Sequence, residues 1–133
     1  MGGNVKKYLH KKVLNIPLYK GKFIIILSND AKLVKTVIKN FDHDDVYGHA
    51  HIDEYNGWSG YFVVLNFHYD FKGITHGVIA HEAIHVANFI LDDRDVVADW
   101  SNVEPQTYLA QWITDEIYKF IKSKKLLNKI YVG

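Results

Sequence analysis

From Val78 to Leu91 every position is apolar except His81, Glu82, His85 and Asn88. A helix that is apolar nearly all round must be buried against other elements, and its few polar groups then need partners, because an unsatisfied buried polar group is costly. Such a segment cannot stand alone or lie on a surface, so it demands a layered domain around it. The four polar residues also carry a pattern. His81-Glu82-Ala83-Ile84-His85 places two imidazoles four residues apart, about 5 to 6 Å from one another on one helix face, with a carboxylate between them. Two such imidazoles can close on one tetrahedral Zn²⁺ while the glutamate points at an open position. The plainer alternative is a pair of core histidines bonded to carbonyls, with Glu82 paired to a lysine.

The remaining elements form one ordered series. Val13 to Tyr19 and Lys22 to Ser28 read as strands joined at Lys20-Gly21, the second almost wholly apolar and so expected at the centre of a sheet. Ser28-Asn29-Asp30 caps a helix over about 31–40, with Leu33, Val34, Val37, Ile38 and Phe41 at helical spacing. The acidic turn Asp42-His43-Asp44-Asp45 leads into a hairpin of Val46 to Glu54 and Gly60 to His68 around Asn56-Gly57. Gly73-Ile74-Thr75 starts the motif helix, which ends before Asp92-Asp93-Arg94-Asp95. Pro105 opens a closing helix with Leu109, Trp112, Ile113, Ile117, Phe120 and Ile121 on its inner face. With 133 residues and 48% hydrophobic content, a single domain over 1–133 is expected, of α+β class: a small mixed or antiparallel sheet against an N-terminal helix, a central metal-binding helix and a C-terminal helix.

Composition narrows the chemistry. The absence of cysteine leaves His, Asp and Glu as the only strong metal ligands. A net charge of +1 supplies no broad field for nucleic acid or an anionic membrane, and neither partner is expected. No apolar run reaches the ~20 residues needed to span a bilayer, so the chain reads as soluble, with a cytoplasmic location expected.

A third protein ligand separates the classes of zinc helix. The form with Gly three residues and His six residues after the second histidine is excluded, since those places hold Asn88 and Leu91. Glu104 instead lies nineteen residues beyond His85, in Asn102-Val103-Glu104-Pro105. Over about 73–122 the chain thereby resembles the gluzincin branch of zinc metallopeptidases, and especially its small members from bacteriophages and gut bacteria. The resemblance implies a zincin-like fold, Zn²⁺ held by His81, His85 and Glu104, and Glu82 as general base on a zinc-bound water. It also implies a peptide or protein substrate, and a phage-associated setting. It departs from larger gluzincins at Tyr108, where an Asp often orients a ligand histidine. Glu104 precedes a proline and is biased away from helical dihedrals, which places it at the cap. Asp99 is a second carboxylate within reach in sequence, as a ligand, as an acceptor for a histidine N–H, or as a turn residue. His51 and Tyr108 are candidates to stabilise an oxyanion, and His49 and His51, on one side of their strand, could with Asp53 hold another metal.

Two functions of different class follow. One is a zinc-dependent metallohydrolase, by preference a peptidase. The other is a metal-stabilised binding or structural module without turnover, which the shortness of the chain favours, as does the need for a protein partner to complete a substrate cleft.

Overall fold

The computed structural model describes residues 6–39, 41, 47–68, 73–97 and 99–132. Four strands, β1 (Leu9–Asn15), β2 (Lys22–Ser28), β3 (Gly48–Tyr55) and β4 (Trp58–Asn66), form one sheet in the order β1-β2-β4-β3. The outer pairs are antiparallel and the central pair β2–β4 is parallel, so the sheet is mixed. Three helices complete the fold: α1 (Ala31–Val34), α2 (His76–Asp92) and α3 (Glu104–Ser123), followed by a short 3₁₀ turn at Leu127–Lys129.

The pleat divides the interior in two. Phe23, Ile25, Leu27, Tyr61, Val63 and Leu65 point to the face covered by α2 and α3, and Ile24, Ile26, Phe62 and Val64 to the face covered by α1 and the turns after it. Apolar residues at successive positions of β2 and β4 thus fill two layers, which is why β2 reads as one unbroken apolar run and sits at the centre. The hairpin β3–β4 closes at Asn56 and Gly57, both with positive φ (50° and 84°), the two-residue turn that Asn-Gly favours.

Two expected elements differ. The first strand runs over Leu9–Asn15, four residues before the expected start at Val13. Pro17 has no N–H for a ladder and Leu18 adopts φ 68°, so the chain leaves the sheet after Asn15 and returns through a loop, not a tight Lys20-Gly21 turn. The first helix covers only Ala31–Val34, with Asp30 accepting from the Lys32 N–H at 3.2 Å. Beyond it Thr36, Val37 and Ile38 continue as turns, in keeping with the low helix preference of a β-branched run. The acidic turn at 42–45 and the expected strand start at Val46 lie outside the described residues. Among the described residues no helix is long and apolar enough to cross a membrane.

Candidate metal centre

Thr75 fixes the start of α2: its hydroxyl oxygen accepts from the Val78 N–H at 3.1 Å. From that start, Ile79, Ala83, Val86, Ala87 and Ile90 face the sheet and α3, all with no exposed surface. The same rotation turns His81 and His85 outward and leaves Glu82 on the flank that meets β3, 8% exposed. The imidazole planes stand at 76° with ring centroids 4.6 Å apart, and their Nε2 atoms are 3.1 Å apart. A Zn²⁺ placed about 2.05 Å from both nitrogens subtends them at roughly 100°, close to the tetrahedral value. The donor set therefore fits such an ion. One Glu82 oxygen and the two imidazole nitrogens all lie within 4.8 Å of one another.

Glu82 is held by packing. Its Cγ and Val78 Cγ1 would each lie 3.0 Å from a Cβ built on Gly48, so the carboxylate stem occupies space that only glycine leaves open in β3. Burial pushes the Glu82 carboxyl above the usual carboxylate range, and the neighbouring imidazoles of His81 and His85 pull it back in part. A carboxylate with raised proton affinity beside two imidazoles suits a proton-accepting role. On the far side His85 stacks on Phe89, centroids 6.2 Å apart.

Glu104 stands outside this group. It is the first residue of α3, exposed, and borders a depression with Pro17, Leu18, Tyr19 and Tyr108. Asp99 is also exposed and makes a local turn: its Oδ1 accepts from the N–H and hydroxyl of Ser101, both at 2.9 Å, and these bonds lower its proton affinity. His49 and His51 do share one side of β3, but it is the α1 side, opposite to α2. His51 lies against Phe62, its Nε2 is 3.6 Å from Asp53 Oδ2, and among the described residues that nitrogen has no hydrogen-bond partner. It therefore lies on the opposite face of the sheet from the His81–His85 pair and is not placed as an oxyanion donor there. His49, His51 and Asp53 do not form a metal-sized cluster, the 81/82/85 group being the only one among the described residues. Tyr108 is 60% exposed beside Glu104. His76 bonds the Tyr118 hydroxyl through Nδ1 at 2.5 Å and so clasps α2 to α3.

Three contributors were not marked by the sequence as parts of a site. Gly48 shows only as a glycine near a strand start. Gln106 donates to Asn88 Oδ1 at 2.6 Å, which supplies the partner that the polar position on α2 called for. Tyr61, wholly buried, donates its hydroxyl to Asp93 at 2.5 Å and accepts from Arg94 at 2.9 Å, anchoring the end of α2 to β4.

The site thus consists of a paired imidazole face and a buried carboxylate on one helix. No protein-family model, no curated protein and no solved structure matches the chain.

Proposed function

We propose that this chain is a zinc-dependent metallohydrolase of zincin-like build, by preference a peptidase, in which His81 and His85 hold the metal and Glu82 is the general base. The observation that carries the reading is the 3.1 Å separation of the two Nε2 atoms, with a buried carboxylate oxygen within 4.8 Å of both. Bound zinc supplies a Lewis acid for a carbonyl and acidifies a water molecule. Glu82 takes the proton of the attacking water on its carboxylate and hands it to the departing amine. Packing against Val78 and the Gly48 backbone limits the positions its side chain can take.

Glu104 contributes to the metal in this reading only if the first turn of α3 is repositioned. Glu104→Ala reads directly on that point. A loss of zinc affinity beyond about tenfold puts Glu104 on the metal, whereas unchanged affinity takes it out of the ligand set.

A second reading, a zinc-stabilised binding module without turnover, is favoured by one observation: Glu82 is the only carboxylate in the cluster and can serve as a ligand itself. Glu82→Gln separates the two. Under the hydrolase reading the variant keeps zinc and loses cleavage of a mixed peptide library by about 100-fold or more. Under the module reading it loses zinc and there is no cleavage to lose. Protein purified without chelator and free of metal would sink both.

A further inference from the structure

At 100° per residue, His81, His85, Asn88 and Asp92 fall within about 60° of one another around α2. The outward stripe that bears the metal pair therefore continues for two more turns, and it runs into a cavity of about 450 Å³ bordered by Asn88, Phe89, Asp92, Val96, Val97 and Gln106. Phe89, stacked on His85, is the wall shared by cavity and metal pair.

The chemistry of this cavity has one sign. Among the described residues Asp92 is the only ionisable one bordering it, and its carboxylate makes no hydrogen bond or ion pair with any of them. Asp92 is also the last residue of α2, where the helix dipole adds partial negative charge, and the last turn of α2 holds no basic residue to meet it. Arg94, two residues further on, is engaged elsewhere, with its guanidinium on the Tyr61 hydroxyl and the Lys20 carbonyl. The amide pair is half used. Asn88 Oδ1 accepts from Gln106 Nε2, which leaves Gln106 Oε1 as an acceptor and Asn88 Nδ2 as a donor at the border of the cavity. Val96, Val97 and Phe89 supply apolar walls.

A carboxylate beside apolar side chains in an open depression suits a side chain with a methylene stem and a cationic head. The length also fits. Seven residues separate His85 from Asp92, about 10 Å along the axis at 1.5 Å per residue. An arginine or lysine side chain plus one hydrogen bond spans roughly that distance from its own backbone carbonyl. We propose that this cavity is the specificity pocket of the hydrolase, accepting an arginine or lysine side chain next to the scissile bond with Asp92 as its counter-ion. The proposal rests on the metallohydrolase reading, which positions the scissile carbonyl at the His81–His85 pair.

Binding is tested apart from turnover. Zinc-loaded protein, ¹⁵N-labelled, is titrated with n-butylguanidinium and with its neutral analogue n-butylurea. The guanidinium is expected to shift the amide resonances of Asn88, Asp92 and Val97 and to bind about 10- to 100-fold more tightly than the urea. Asp92→Asn should remove most of that difference and Asp92→Glu should retain it. Equal binding of the two probes, shifts located elsewhere, or a difference untouched in Asp92→Asn would overturn the pocket. Matched peptides carrying arginine or citrulline beside the cleaved bond then test its role. Wild type is expected to favour arginine in kcat/KM by a similar factor, and Asp92→Asn to narrow that ratio to a few-fold. Guanidinium binding with no cleavage of either peptide would refute the hydrolase reading, and the specificity role with it, while showing that the pocket itself exists. Cleavage of both at equal rates would refute the specificity role alone.

Discussion

Glu82 shows how one residue can be costly to the fold and useful to the site. Its carboxyl, raised by burial, binds a proton more tightly folded than unfolded, so folding stability falls as pH rises from the ordinary carboxylate range through the folded value. Removing the charge should relieve that penalty where it exists. In metal-free protein, Glu82→Gln is expected to raise Tm relative to wild type at pH 7 and to change it much less at pH 4. A difference between the variants that is the same at both pH values would mean that Glu82 is not desolvated in the fold. At this scale the sequence was most legible for His81 and His85, because four-residue spacing on a helix settles their proximity before any tertiary contact forms. It was least legible for the third carboxylate. Whether Glu104 or Asp99 nears the pair depends on how the 93–103 connection is routed and how α3 is rotated, and neither is encoded in spacing.

The elements that hold α2 are the hairpin beneath it, α3 beside it and a polar clamp at its end. The clamp, Tyr61 to Asp93 and Arg94, lies where β4, the end of α2 and the 16–21 loop meet. Burial and the bond to Asp93 both hold the Tyr61 hydroxyl above the usual phenol range, so it stays a donor throughout the physiological range. Tyr61→Phe keeps the ring and removes the hydroxyl, leaving two polar partners short of a bond. It is expected to cost about 1–3 kcal/mol, read as a lowered urea midpoint at unchanged m-value. An unchanged midpoint would mean that Asp93 and Arg94 find other partners at no cost. The long helices were legible within one or two residues of their observed bounds, since Thr75 and Pro105 mark their starts chemically. The first hairpin was not. Val13 to Tyr19 alternates well enough to pass for a strand, although Pro17 within it argues against one, and the positive φ of Leu18 in the loop has no residue signature.

For the whole molecule, zinc binding and folding should be linked, because the paired imidazoles exist only when α2 is formed and packed. Free zinc at about 100 times its Kd stabilises the folded state by about 2.7 kcal/mol, which for a chain of this size raises Tm by about 10 °C. The His81→Ala, His85→Ala double variant should show no such rise, and an equal rise in it would move the metal elsewhere. The fold class was legible as α+β, a small mixed or antiparallel sheet packed against three helices, and the unbroken apolar run of β2 marked it as central; the split of one helix to one face and two to the other came only with the structure. The strand order was not, because nothing local tells β2 to pair in parallel with β4.

The alternation of β3 joins its turn to the metal helix in a way that distance conceals. Gly48 under Glu82 and the neighbouring His49 face opposite layers, and the Asn56-Gly57 turn at the other end of the hairpin sets which of them points inward. A slip of one residue in that turn would drive an imidazole into the space the carboxylate stem fills. The phase of the hairpin is thus a control on the candidate centre: a two-residue turn at the far end of β3 decides whether the Glu82 carboxylate has room to exist.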